Sequence, residues 1–200
     1  MNTTETKESE VYFRKSKRIE LRPVFESDVP LLVKWINDPE VRQFLASYQP
    51  MMEEDEREWV KSLRTRRDRN IVFMIVVDGK PIGTMGLHAI DFRQGTAVTG
   101  AMIGEKEYWG KGYGTEAKML VLEYAFHTLN LRKICSNVIA FNDRSVKYSH
   151  KCGYVEEGRR KAQFYTRGKY WDEIWLAVFR QDWETLWEQF ESEQKDFLRI

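Results

Sequence analysis

The sequence has few cysteines and no long apolar run, and both absences narrow the class of protein. Its 200 residues include only Cys135 and Cys152, too few for the disulfide framework of a small secreted domain. Both fall in predicted strand or helix segments, which predicts buried, reduced thiols. No stretch approaches the roughly 18 apolar residues of a membrane-spanning helix, and the polar start MNTTETKESE resembles no signal segment. We therefore expect a cytoplasmic protein without a membrane partner.

An excess of either charge is also missing. Thirty-two basic residues face thirty-one acidic ones, and the formal net charge is +1. Such a chain has no global attraction to nucleic acid, so no nucleic-acid partner is expected, and we predict no metal site. A hydrophobic content of 42% in 200 residues is enough for one well-buried core. The composition therefore predicts a single domain whose partners are recognised locally.

The hydrophobic pattern changes period along the chain in the order strand, two helices, three strands, helix, strand, helix, two strands. This order predicts an α/β (α+β) fold with a mixed, mostly antiparallel sheet and helices on both faces. We predict a polar tail over residues 1–17, the domain over residues 18–181 and an amphipathic C-terminal helix over residues 182–200. Trp183 and Trp187 share one stripe of that helix, which leaves a homodimer as an open alternative.

Residues 105–129, EKEYWGKGYGTEAKMLVLEYAFHTL, place three glycines at alternate positions ahead of a long helical pattern. Bare backbone at a helix N-terminus can turn its N–H groups toward a phosphate. A dinucleotide fingerprint starting at Gly110 fails, because it needs glycine where Thr115 stands. A Walker A loop fails as well, because Lys111 is followed by Gly112 instead of serine or threonine.

The loop resembles the pyrophosphate motif Q/R-x-x-G-x-G/A of the GCN5-related N-acetyltransferases. The six matching residues run from Trp109 to Gly114, and Trp109 replaces the usual Gln or Arg. That replacement is familiar in the branch of ribosomal-protein N-terminal acetyltransferases and spermidine acetyltransferases. A second family segment, N-x-x-A/S…K-x-G-F/Y, is similar to Asn142, Ser145, Lys151, Gly153 and Tyr154.

The resemblance implies an acyl-CoA-dependent enzyme that transfers the acetyl group of acetyl-CoA to a primary amine by direct attack in a ternary complex. It implies a sheet of about six to seven strands, splayed where the cofactor binds. The acceptor amine stays open between a protein N-terminus, a polyamine and another small amine. The implied cofactor-binding residues are Met102, Ile103, Gly104, Trp109, Gly110, Lys111, Gly112, Tyr113, Gly114, Thr115, Asn142, Ser145 and Lys151.

The proton donor is where this chain departs from the family. The usual general-acid tyrosine falls seven residues after Asn142, and that residue is Ser149, whereas the tyrosine of this chain is Tyr148. One residue is about 100° of rotation on a helix, so both side chains cannot face the same sulfur. We favour Ser149 by its position. Tyr148 stays open, because a phenol is the more suitable donor.

The proton acceptor is less defined, because residues 96–103 carry no glutamate although related enzymes often have one there. The candidates for the proton acceptor are His88, Asp91 and Glu173. An imidazole has an ordinary pKa close to neutral pH, which suits a general base. The missing tyrosine at position 149 and the missing strand carboxylate support a competing hypothesis, a non-catalytic acyl-CoA sensor or protein-interaction module. A polyamine acceptor would use Glu40 and the acidic run 53–56.

Overall fold

The computed structural model describes residues 11–200. Within that range eight strands form one sheet, in the spatial order β1-β2-β3-β4-β5-β6-β8-β7. Neighbouring strands run antiparallel except β5 and β6, which are parallel. The strands are β1 Arg14–Lys15, β2 Glu20–Pro23, β3 Ile71–Val77, β4 Lys80–Asp91, β5 Thr96–Ile103, β6 Lys133–Ile139, β7 Val155–Thr166 and β8 Lys169–Phe179.

Helices cover both faces of this sheet, as β3 shows most directly. Its run IVFMIVV is buried on both sides: Phe73 and Ile75 join one hydrophobic cluster, while Met74 and Val76 join another. A continuous apolar run is what a strand covered on both faces requires. The helices are α1 Val29–Asn37, α2 Pro39–Arg42, α3 Glu53–Thr65, α4 Tyr113–Glu123, α5 Asp143–Lys151 and α6 Arg180–Gln194.

Helix α4 is the central helix of the larger cluster and is buried almost all round. Every residue from Glu116 to Glu123 is buried, including both glutamates. Arg18 binds Glu116 at 2.6 Å, and Arg14 binds Glu123 at 3.0 Å. These ion pairs compensate for the burial of charge, because a buried carboxylate without a partner is costly. They also fix the helix whose first turn carries the glycine loop.

Strands β5 and β6 separate along their length. Their pairing covers only Thr96–Val98 of β5, opposite residues 133–135 of β6. Strand β5 stays paired with β4 as far as Ile103, and β6 stays paired with β8 as far as Ile139. The two strands therefore diverge beyond these three pairs and open a cleft. This confirms the splayed, mixed, mostly antiparallel sheet expected from the sequence.

The two ends of the chain add detail that the sequence pattern did not give. Of the predicted tail, residues 1–10 lie outside the described residues, while Arg14–Lys15 form β1, which raises the strand number above the six to seven expected. The C-terminal helix is present as α6, with Trp183 and Trp187 only 0% and 3% exposed within the chain itself. Both side chains are therefore used in packing within the chain and offer no dimer surface. No helix in residues 11–200 is long and apolar enough to cross a membrane.

Candidate active site

A cavity of about 750 Å³ fills the cleft between the diverging strands. Strand β5 contributes residues 98–103 and strand β6 residues 136–139. The glycine loop and the first turn of α4 form another side with residues 108–110 and 112–115. One face of α5, the segment after α2, and single residues of β7 and β8 complete the wall. The residues that line the cavity therefore come from many segments of the chain and surround one opening in the sheet.

The glycine loop presents unpaired backbone donors at the start of α4. Gly110 and Gly112 have φ of +74° and +87°. Glycine adopts this conformation readily, whereas residues with a Cβ atom disfavour it. Among the described residues, none accepts a hydrogen bond from the N–H groups of residues 110–115. A group of free N–H donors at a helix N-terminus fits an anion, and the pyrophosphate of coenzyme A is one.

Trp109 has a structural reason to stand where the family usually has Gln or Arg. Its indole Nε1 donates a hydrogen bond of 2.7 Å to the backbone oxygen of Ile103, at the end of β5. The guanidinium of Arg144 lies 4.1 Å from the centre of the indole ring. The side chain thus joins the glycine loop to β5 and to α5.

The predicted cofactor-binding residues line the cavity with two exceptions, Gly104 and Lys111. Gly104 serves packing, because a Cβ there would lie 2.0 Å from the Trp35 ring of α1. Lys111 is exposed, and its ammonium is 6.0 Å from the Tyr108 ring. The residues that do line the cavity are Met102, Ile103, Trp109, Gly110, Gly112, Tyr113, Gly114, Thr115, Asn142, Ser145 and Lys151.

Asn142 lies where β6 passes into α5. Its Oδ1 accepts a hydrogen bond of 3.1 Å from the N–H of Ser145, so it is the N-cap of α5. Both residues also line the cavity. The cap fixes the start of α5 and holds the amide of Asn142 at the cavity wall.

The two candidate proton donors point to different places. Tyr148 lines the cavity, whereas Ser149 is completely buried and does not. The Ser149 hydroxyl accepts a hydrogen bond of 3.1 Å from Nζ of Lys118, a residue of α4 that is itself fully buried. The rotation of about 100° between neighbouring helical residues separates the two side chains in this way.

The three candidate proton acceptors also separate. His88 and Asp91 do not line the cavity; burial lowers the pKa of His88, and Asp91 accepts a hydrogen bond from a backbone N–H in the following turn. Glu173 of β8 does line it, although it is only 5% exposed. Asn137 Nδ2 and Trp175 Nε1 donate to its carboxylate at 3.0 and 2.7 Å. These two donors, together with the Arg160 guanidinium 3.6 Å from the same carboxylate, fix it in one orientation.

The charges of the cavity wall are unevenly distributed. Among the described lining residues, Glu173 is the one carboxylate, while Arg144, Lys147 and Lys151 of α5 are cationic. Glu40 does not line the cavity and binds Lys106 at 2.7 Å. The acidic run 53–56 lies outside the lining as well. In residues 11–200, no three histidine, cysteine, aspartate or glutamate side chains form a group that could hold a metal ion.

Arg144 and Lys118 were not among the site residues predicted from the sequence. Arg144 lies between two residues of the second family segment, so its place in the sequence offered a signal. Lys118 gave no such signal, because a single lysine in a helical pattern is usually interpreted as a solvent-exposed residue. Only the packing of α4 against α5 shows that it is buried beside the cavity.

Comparison with known proteins agrees with this geometry. The family described as acetyltransferase (GNAT) domain matches residues 18–155, more than half of the chain. The spermidine N(1)-acetyltransferase of Escherichia coli is 26% identical over 167 residues, which are 82% of this chain and 88% of that protein.

Two solved structures share the fold. The spermidine N-acetyltransferase of Vibrio cholerae, in complex with CoA and spermine, superposes with a TM-score of 0.77 at 22% identity, over 84% of this chain and 98% of that one. The ribosomal-protein-S5-alanine acetyltransferase of Vibrio fischeri gives 0.75 at 23% identity, over 86% and 98%. The chain belongs to the GNAT acetyltransferase family, and it is an N-acetyltransferase that transfers the acetyl group of acetyl-CoA to an amine.

Proposed function

We propose that this enzyme acetylates the primary amine of an acceptor that carries a single positive charge, such as a protein N-terminus. Tyr148 is the proton donor and Glu173 the proton acceptor. The observation that carries the proposal is the charge of the cavity wall, where Glu173 is the one carboxylate among the described lining residues. The non-catalytic sensor has no support in the family match.

Acetyl-CoA fits the side of the cavity that contains the glycine loop and α5. The free N–H groups of residues 110–115 would hold the pyrophosphate, and the positive end of the α4 dipole favours the same charge. Lys147 and Lys151 add positive charge along the wall. Strand β5 beyond Val98 has lost its partner β6, so its backbone edge is available to the pantetheine arm.

In the reaction the acceptor ammonium loses two protons and the departing sulfur gains one. The nitrogen of the neutral amine attacks the carbonyl carbon of the thioester, and the bond between carbon and sulfur then breaks. Alkyl ammonium groups have pKa values of about 8 to 10, so the amine must first lose a proton. Glu173 receives that proton, directly or through water, and later releases it to solvent, while the phenol of Tyr148 gives a proton to the departing sulfur. The attacking nitrogen still carries one proton more than an amide, and it releases that proton through water to the Tyr148 phenolate, which restores the phenol.

The wall beside Glu173 suits an acceptor molecule whose groups next to the amine are uncharged. Val41, Phe44, Leu45 and Phe164 line the cavity together with it. A polyamine would bring two or more ammonium groups to a cavity whose described lining residues include one carboxylate. The names of the relatives include both acceptor types, spermidine and ribosomal-protein alanine, so they do not distinguish between these acceptors. The charges of the cavity wall are therefore the basis of the choice. A homodimer stays a prediction without an assigned surface.

The test measures release of free coenzyme A thiol from acetyl-CoA with a panel of acceptors: short peptides with free N-termini, spermidine, an aminoglycoside and an amino sugar. We expect peptides to give the highest kcat/KM, at least about tenfold above spermidine, because one misplaced charge costs more than 1.4 kcal/mol. Higher kcat/KM with spermidine would contradict the single-charge acceptor. Cofactor binding without acceptor-dependent release across the panel would contradict catalysis itself.

The proton donor is tested with Tyr148→Phe. We expect kcat to fall about 100-fold, because general-acid catalysis typically contributes this much or more, while the Kd of coenzyme A stays unchanged. The matched control is Tyr165→Phe, an exposed tyrosine in the hairpin of β7 and β8. A Tyr148→Phe enzyme with wild-type kcat would remove Tyr148 from this role.

A further inference from the structure

Lys118 is a buried lysine without a carboxylate partner. Its exposure is 0%, although it belongs to α4, the helix whose buried glutamates are both ion-paired. Among the described residues its ammonium makes one hydrogen bond, to Ser149 Oγ, and no ion pair. Burial of an unpaired charge is expensive, and an apolar side chain such as methionine would fill the same volume without that cost.

Two tyrosine rings surround the ammonium. Nζ of Lys118 lies 4.2 Å from the ring centre of Tyr148 and 4.5 Å from that of Tyr154. Tyr154 is 1% exposed, and its hydroxyl is 3.0 Å from Thr99 Oγ1. Tyr148, by contrast, lines the cavity. The ammonium therefore lies behind the ring of the residue proposed as the proton donor.

The other acidic groups near Lys118 stay neutral. Burial raises the pKa of the Cys152 thiol to about 12, and burial also raises the pKa of Tyr154 well above its ordinary value. Tyr148 is different, because its phenol loses a proton when it protonates the departing sulfur. The phenolate spreads negative charge over the ring, and a cation over the ring face stabilises the phenolate more than the neutral phenol. Such stabilisation is greatest in a desolvated site.

We infer that Lys118 is a positioning residue for the acetyl transfer: its ammonium, held by the Ser149 hydroxyl, orients the Tyr148 ring and stabilises the phenolate that forms when Tyr148 protonates coenzyme A sulfur. This inference rests on the proposed role of Tyr148. It gives Ser149 an indirect role, through Lys118, at the position where the family has its tyrosine. It also explains why the cost of burying Lys118 is tolerated.

A double-mutant cycle of Lys118→Met and Tyr148→Phe tests the inference. In the chain that retains Tyr148, Lys118→Met should lower kcat about tenfold, in keeping with a desolvated cation over an aromatic ring, and leave KM for acetyl-CoA unchanged. In the Tyr148→Phe chain, Lys118→Met should change kcat less than about twofold, because no phenolate forms there. Lys118→Arg should recover most of the lost kcat, since it restores the charge.

Other outcomes would overturn the inference. An equal loss of kcat in both backgrounds, or a change confined to KM, would show that Lys118 acts on packing or on the cofactor. Lys118→Met with wild-type kcat would show that the charge has no catalytic effect. If Tyr148→Phe itself keeps wild-type kcat, the proposed proton donor is wrong and the inference fails with it. If Tyr148→Phe is slow and the cycle additive, only the role of Lys118 fails.

Ser149→Ala covers the case in which Lys118→Met does not fold. It removes the one described hydrogen-bond acceptor of the ammonium and leaves the charge in place. We expect kcat to fall about threefold when Tyr148 is present and to stay unchanged in the Tyr148→Phe chain. The control is Ser192→Ala on the exposed side of α6. An equal effect of Ser149→Ala in both backgrounds would again contradict the inference.

Discussion

The cofactor side and the acceptor side of the cavity are built in different ways. The cofactor side is mostly continuous backbone, from the end of β5 through the glycine loop into α4. The acceptor side is assembled from side chains far apart in sequence, including Leu45, Phe164 and Glu173. In the proposed function the first recognises an anion through backbone N–H groups, whereas the second depends on which side chains the sheet brings together. Substitutions should therefore affect the two sides differently.

The largest effect is expected on the cofactor side, for Gly112→Val. The φ of +87° at this position is strained for a β-branched residue, by about 1–3 kcal/mol, and a Cβ would lie 3.2 Å from the Arg18 guanidinium. Together with the lost approach to the phosphates, this should raise the Kd of coenzyme A at least 100-fold in titration calorimetry.

Gly158→Val is the matched control for that substitution. A Cβ at Gly158 meets nothing within 4 Å, and its φ is not positive. Coenzyme A should bind this variant with wild-type affinity. Tight binding by Gly112→Val would contradict the assignment of the glycine loop to the pyrophosphate.

The second effect concerns the acceptor side, for Glu173→Gln. The amide keeps the shape of the side chain but cannot take up the proton of the amine, so kcat/KM for the acceptor should fall about tenfold to a hundredfold. The Kd of coenzyme A should not change. The control is Asp172→Asn on the same strand, whose carboxylate binds the N–H of Ala162 and does not line the cavity. Equal losses in both variants would contradict the role of Glu173.

A third, smaller effect is expected for Gly104, which the sequence placed among the cofactor-binding residues. At Gly104 a methyl group would lie 2.0 Å from the Trp35 ring, and overpacking of this kind costs about 1–3 kcal/mol of unfolding free energy. Gly104→Ala should therefore lower stability in urea denaturation, whereas the folded fraction should bind coenzyme A nearly as well as wild type. Gly158→Ala is the control. A loss of affinity without a loss of stability would return Gly104 to the cofactor site.

The smallest effect on activity concerns Glu56, in the acidic run that the sequence left available for a polyamine. Glu56 is 3% exposed, and burial raises its pKa to about 7, above its ordinary 4.5. The folded state then holds the proton more tightly than the unfolded state, so the stability contributed by this group falls as pH rises from about 4.5 to 7. The loss is complete above that range.

Glu56→Gln removes this pH dependence. Relative to wild type, the variant should gain unfolding free energy between pH 4.5 and 7 and keep a constant advantage above pH 7. Glu58→Gln, an exposed neighbour on α3, should show no such trend. Neither change should alter kcat/KM for any acceptor, because neither residue lines the cavity. A selective loss of spermidine turnover in Glu56→Gln would place the acidic helix in the acceptor site.

The glycine loop and the cap of α5 were predictable, because their function depends on local backbone. Alternate glycines before a helix define positive φ and free N–H groups within six residues, and Asn142 caps the helix that it precedes. The mixed sheet was predictable for a similar reason, since strand and helix periods are local. Gly104 was predicted to bind the cofactor at the end of a strand, because no sequence pattern shows the Trp35 ring beside it.

The choice between Ser149 and Tyr148 depended on the face of α5 that the fold buries. Counting from Asn142 placed Ser149 at the family position, but the packing of α5 against α4 directs it to Lys118 and leaves Tyr148 at the cavity. The burial of Trp183 and Trp187 likewise depended on the fold. The sequence shows that they share one helical stripe, but it does not show which part of the chain covers that stripe.

The sequence by itself indicated the family and the cofactor, through the resemblance of two short segments to known motifs. It also determined the glycine loop, because the spacing of its glycines ahead of a helix sets the backbone conformation. The tertiary structure decided which side chains share the cavity: Glu173 and not His88, Tyr148 and not Ser149, with Lys118 behind the tyrosine ring. Those contacts join segments separated by tens of residues. They are fixed by the divergence of β5 from β6 and by the packing of α4 on α5, and no local pattern of residues specifies either.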